Sequence, residues 1–211
     1  MSTSLLTRET RKQIPILLVL LACGSLTTMT GSVVAPVMPE VKDQLIIDPR
    51  WSGMLVSMHC LTIFLFSPIF GILADRIGKA RVLIPSLICY AIFGTAGAFA
   101  NGFTPLLISR ALLGAASGGI AAASIGILSS MYEGEKRTRI LGYTTSALAI
   151  ASIIFPIVGG LIGKYNWRFT FGMYTLALPA ALIAYYLLPK RKRQGASSIS
   201  LGQKDKLIES L

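Results

Sequence analysis

Charge is what this chain has least of. Asp, Glu, Lys and Arg make up 14% of its 211 residues, where a water-soluble domain carries about 25%. A surface wetted on all sides cannot be built from so few charges. Histidine occurs once, as His59, and cysteine three times, as Cys23, Cys60 and Cys89, each inside an apolar run. That scarcity leaves no spacing for a metal cluster and no disulfide framework, so the cysteines read as small packing residues. No Gly-rich phosphate loop occurs either, and neither a metal nor another cofactor is expected. The formal charge of +11 invites a nucleic-acid reading, but the basic residues neither gather on one amphipathic face nor interleave with aromatics. No nucleic-acid partner is expected.

What is there instead is apolar length. Hydrophobic residues reach 53% and mean hydropathy +0.67, concentrated in six runs: Ile14 to Met38, Trp51 to Ala74, Val82 to Ala100, Pro105 to Met131, Ile140 to Gly163 and Phe169 to Leu188. Each approximates the ~20 residues a helix needs to cross ~30 Å of hydrocarbon. The spacing predicts an all-α polytopic membrane bundle over 14–188. Asp48-Pro49 and Thr104-Pro105 each read as an N-cap followed by proline at the first helical position. Pro189 followed by Lys190-Arg191-Lys192-Arg193 reads as a stop and an anchor, opening a polar tail over 189–211. No cleavable signal peptide is evident, because the first run is too long for one.

The charges between runs set an orientation. Arg8, Arg11 and Lys12 precede the first run. Arg76, Lys79 and Arg81 follow the second, Lys136, Arg137 and Arg139 follow the fourth, and the 190–193 cluster follows the sixth. The opposite loops hold only Lys42, Arg50, Lys164 and Arg168. Basic loops stay on the cytoplasmic side, which predicts that segment 1–13 and the tail are both cytoplasmic.

The most informative stretch is Gly71-Ile72-Leu73-Ala74-Asp75-Arg76-Ile77-Gly78-Lys79-Ala80-Arg81. A glycine near a helix end permits close approach of another helix. A carboxylate at the membrane edge can pair with arginine or face a helix N-terminus, and Gly78 suits a tight turn. This segment resembles the signature loop between the second and third helices of the major facilitator superfamily, G-x-L-A-D-R-x-G-[RK]-[RK], with Ala80 replacing one basic position. The resemblance implies a latch that breaks and reforms as two halves of a transporter rock, carried by Gly71, Asp75, Arg76, Gly78, Lys79 and Arg81.

Weaker matches extend along the chain. Arg110 to Gly114 is similar to the family's fourth-helix motif, with Leu113 where glutamine is frequent. A guanidinium inside a span needs water, a carbonyl or an anion, unless it snorkels to the interface. Pro156, Gly159 and Gly160 resemble the tail of the fifth-helix motif of antiporters, with Phe155 and Ala151 departing from it. Asn166-Trp167-Arg168-Phe169 resembles the opening of the sixth helix in drug-efflux members. The first helix lacks the acidic residue of several proton-coupled relatives; Thr27, Thr28, Thr30 and Ser32 are its polar groups there. All nine acidic residues lie outside the apolar cores. His59 is the remaining titratable group in a span, either functional or simply hydrogen-bonded. The expected transport path is Arg110, Gly114, His59 and Thr30. The small residues from Gly114 to Gly119 read as close helix packing.

The resemblance implies the N-terminal six-helix half of such a transporter, built from two inverted three-helix repeats. It implies an integral protein of a bacterial inner (plasma) membrane that moves a small molecule by alternating access, with proton-coupled efflux favoured. Lipid surrounds it, and a second six-helix half is its expected partner. The basic tail resembles the start of the central linker, which favours a truncated half. The alternative is a half-transporter working as a homodimer or heterodimer. An intramembrane hydrolase built on Ser117 is disfavoured, because the single histidine precedes the serine and such a nucleophile needs a base within reach.

Overall fold

The computed structural model describes residues 3–188. All regular structure among them is helical. Six helical segments are long and apolar enough to cross a membrane: Ile14–Leu45, Gly53–Ile77, Lys79–Phe99, Phe103–Met131, Gly134–Gly163 and Trp167–Leu187. Helices are what hydrocarbon demands, since every backbone donor and acceptor finds its partner within the segment. The basic tail 189–211, with its expected stop and anchor, lies outside the described residues.

Two spans depart from regular helix where their sequences require it. The first helix runs Thr3–Ser32 and then breaks; a 3₁₀ turn at Ala35–Val37 and a helix at Met38–Leu45 complete the span. Pro36 and Pro39 cause this. Each lies at the first positions of the element it opens, where a missing N–H costs nothing. Sequence alone ended this span at Met38, because the polar residues Glu40, Lys42 and Asp43 hide the helical continuation. The sixth span is helical at Trp167–Gly172, tightens to 3₁₀ over Met173–Leu176 and resumes at Ala177–Leu187.

The junctions follow local chemistry. Asp48 caps the second span as expected, its carboxylate accepting from the Arg50 N–H at 2.9 Å with Pro49 behind it. Asn166 caps the sixth in the same way through the Arg168 N–H. The expected cap at Thr104 does not form. The fourth helix starts at Phe103 with Gly102 as its N-cap, so Pro105 falls within the first turn, where its nitrogen would have had no intrahelical partner anyway. Gly78 alone separates the second and third spans, at φ +106, a conformation L side chains rarely adopt.

The fourth span is the axis of the bundle. The second and third pack along it, the first packs on the fourth and fifth, and the third on the sixth. Trp167, Phe171 and Tyr174 of the sixth span are fully buried with Tyr90 of the third. Their rings stack edge-on, Trp167 on Phe171 and Tyr174 on Tyr90, at 5.6 and 5.5 Å. Close backbone approach is made with small residues, as it is where lipid gives helices no hydrophobic drive to associate. A Cβ on Gly114 would lie 2.0 Å from Thr62 Oγ1 and 2.5 Å from the His59 carbonyl oxygen. At one end the loops are tied together by Trp167 donating to Gln44 at 2.7 Å and Arg168 donating to the Ala98 carbonyl. Cys23, Cys60 and Cys89 are free thiols.

Candidate functional site

Arg110 lies two turns inside the fourth span and is only 3% exposed. Nothing anchors it to an interface; it points into protein. Its Nη1 donates to the Thr30 carbonyl at 3.3 Å and to the Tyr174 hydroxyl at 3.0 Å, and that hydroxyl donates to the same carbonyl at 3.1 Å. The break after Ser32 explains why this carbonyl is available, since the last turn of a helix leaves its C=O groups without intrahelical partners. A cation there also meets the negative end of the helix dipole. The Phe171 ring covers the guanidinium at 4.6 Å and the Tyr174 ring approaches at 5.5 Å, a favourable cation–π arrangement. Nη2 has no hydrogen-bond partner among the described residues.

Thr30 is the node beside it. Its hydroxyl donates to Tyr90 at 3.2 Å and lies 3.1 Å from Ser117 Oγ, while Ser117 donates to the Leu113 carbonyl at 2.8 Å. Tyr90 in turn donates to the Leu26 carbonyl. Four spans are therefore joined through one polar cluster: Thr30 from the first, Tyr90 from the third, Arg110 and Ser117 from the fourth, Tyr174 from the sixth. His59 faces the cluster from the second span, 6% exposed. Its ring packs on Gly31, where a Cβ would fall 2.8 Å from Nε2, and Nε2 lies 3.4 Å from Cys60 Sγ. A small recess of about 10 Å³, room for a single water, opens among Thr30, Val34, Leu55, His59, Leu106 and Arg110.

Thr30, His59 and Arg110, three of the four residues expected on a path, thus line one pocket, and Gly114 holds the second and fourth spans together beneath it. Sequence reading missed Tyr90, Phe171 and Tyr174. The signal was present, because a tyrosine deep in an apolar run must find a partner for its hydroxyl.

The loop after the second span is a separate feature. Gly78 donates to the Ala74 carbonyl and accepts from the Arg81 N–H, both at 3.0 Å. Lys79 Nζ reaches across to the Gly126 carbonyl at 2.7 Å and so fastens the loop to the fourth span. Asp75, Arg76 and Arg81 are exposed, and Asp75 makes no ion pair among the described residues. The close approach expected at Gly71 is not made among the described residues, where nothing lies within 4 Å of the position its Cβ would take. In the fifth span Pro156 sits inside the helix. Gly159 meets the Val33 backbone, with 2.7 Å from a notional Cβ to the carbonyl oxygen, and Gly160 meets Pro36 at 3.3 Å. The fifth-helix motif is therefore a seat for the broken end of the first span.

Fold and site together define a polytopic helical membrane protein with a buried cationic centre. The sequence profile of the Major Facilitator Superfamily matches residues 20–209, and the chain belongs to that family. It is 24% identical over 185 residues to the hexuronate transporter of Bacillus subtilis, covering 87% of this chain and 44% of that protein. It is 26% identical over 167 residues to the multidrug transporter protein MdtP of the same organism, covering 78% of this chain and 30% of that one. Over 138 residues it is 25% identical to the quinolone resistance protein NorA of Staphylococcus aureus, covering 65% and 36%. The chain spans less than half the length of these relatives.

Proposed function

We propose that the chain is one six-helix half of a secondary transporter that exports a small molecule across a bacterial plasma membrane by alternating access, coupled to protons, with both termini in the cytoplasm. The observation that carries this reading is the pocket at Arg110. A charge buried in a membrane bundle is costly and marks a substrate or ion route. Here it is held by a helix break and lined by groups from three spans. Export is favoured by likeness to exporters, among them the bacillibactin exporter of Bacillus subtilis at 26% identity over 147 residues. His59 is the group in this half suited to carrying a proton. The loop from Gly71 to Arg81 gates the cycle, with exposed Asp75 and Arg76 free to engage a facing helix and Lys79 fixing the loop to the fourth span. The second half, in the same or another chain, covers the open faces of the second and fifth spans.

Norfloxacin export from cells expressing the protein tests this. Asp75→Asn is expected to reduce export several-fold while the amount inserted in the membrane stays unchanged. Wild-type export by that variant would remove the loop from the mechanism. Arg110→Ala is expected to lower export further, and Arg110→Lys not to restore it, because a lysine lacks the flat guanidinium face that stacks on the Phe171 ring.

A further inference from the structure

The cluster around Thr30 joins four spans by direct hydrogen bonds, and one of its donors is left over. Arg110 Nη1 is taken up by the Thr30 carbonyl and the Tyr174 hydroxyl. Nη2 is buried without a hydrogen-bond partner among the described residues, and a guanidinium nitrogen can only donate. On the second span, the His59 ring bonds the Val56 backbone one turn back. A carbonyl there takes the imidazole N–H, so the other ring nitrogen is an acceptor. Cys60 Sγ, 3.4 Å from Nε2, is a weak donor to it. Nε2 also packs against Gly31, which lines the recess with His59 and Arg110. A donor and an acceptor thus border a space of about 10 Å³, the least that holds one water. Orphaned buried polar groups are what buried waters in folded proteins satisfy.

We propose that the recess binds a single water, which accepts a hydrogen bond from Arg110 Nη2 and donates one to His59. Val34, Leu55 and Leu106 wall it in. The water adds the second span to the four that the cluster already joins. A water-mediated bond is nearly as good as a direct one, so this molecule holds the imidazole in register with the arginine. The site stands on this geometry and not on the transport reading. Labelling reads the water and norfloxacin export reads transport, so either can fail alone.

The test is radiolytic hydroxyl-radical labelling of the full chain in lipid nanodiscs, read by mass spectrometry. Radicals born on a held water oxidise the side chains around it. Leu55 and Leu106 line the recess and are each 2% exposed, while Leu83 and Leu87 are fully buried away from it. Oxidation of Leu55 and Leu106 several-fold above that of Leu83 and Leu87 is expected. Val34→Ile adds a methylene to the recess, and His59→Phe removes the acceptor. Each should bring Leu55 and Leu106 down to the control rate, with helicity by circular dichroism unchanged. Should the variants misfold, the wild-type comparison decides alone. Equal labelling of the two pairs in the wild-type protein overturns the proposal, and so does undiminished labelling in either folded variant. A held water also exchanges more slowly than solvent. After rapid mixing with heavy-oxygen water, Leu55 should therefore take up the heavy isotope later than Ile46, which is 92% exposed. Simultaneous uptake would mean open solvent in the recess and overturns the proposal as well.

Discussion

The fourth span and its neighbours the second and fifth differ in burial far more than in hydropathy. In the most apolar window of the fourth span 61% of residues are buried, against 17% in the second and the fifth, although mean hydropathy is 1.8, 1.9 and 2.1. Hydropathy therefore says that all three can reside in a membrane and nothing about what each faces. The distinction lies in side-chain size. The fourth span turns Gly114, Ala116, Ser117, Gly118 and Gly119 inward and lets neighbours approach its backbone. The second and fifth present Phe64, Leu65, Ile69, Ile153 and Ile157, all more than half exposed, to whatever lies outside this chain. The catalogue of polar groups divides the same way: the buried cluster is organised by the fourth span, and the exposed loop motif ends the second.

The contrast can be broken most forcefully at its tightest point. Gly114→Ala places a methyl against the Thr62 hydroxyl and the His59 carbonyl and should lower unfolding stability in detergent by about 1–3 kcal/mol, the scale of an overpacked core. A neutral result would mean that the second and fourth spans are not in close contact. Next in size is Tyr174→Phe, which removes the hydroxyl joining Arg110 to Thr30. A loss of about 1–2 kcal/mol is expected from that hydrogen bonding, read by the same unfolding titration; no loss would detach the sixth span from the cluster. The smallest effect belongs to the open face. Gly71→Ala meets nothing within 4 Å, so unfolding stability should hold or rise by about 0.5–1 kcal/mol through helix propensity. The same variant should reduce export if the proposed second half packs on that face. Destabilisation of the isolated chain would place a contact at Gly71 that the structure lacks.

How far the sequence could be read follows from the same physics. Six apolar runs specify six spans because membrane thickness fixes helix length, and Asp48-Pro49 caps the second span through chemistry confined to adjacent residues. The first span extends past Met38 because Pro36 and Pro39 open new helical elements rather than ending one, a distinction that depends on the fifth span receiving the broken end at Gly159 and Gly160. Gly71 and Gly114 look alike in sequence, each a glycine in an apolar helix, and only the packing shows one against open space and the other against backbone. The gathering of Thr30, His59 and Arg110 around one pocket is written in no local pattern. Arg110 announces itself as a charge within a span, but its partners Thr30, Phe171 and Tyr174 come from helices far along the chain and are chosen by geometry alone.

The central claim is that the open faces of the second and fifth spans are covered by a second six-helix unit. Native mass spectrometry of the complex extracted from its own membrane tests it most directly. The account predicts that the fold described here is recovered joined to a second six-helix unit, at about twice 22.6 kDa if that unit is another copy. A lone 22.6 kDa species carrying only lipid, and still exporting norfloxacin, would contradict it.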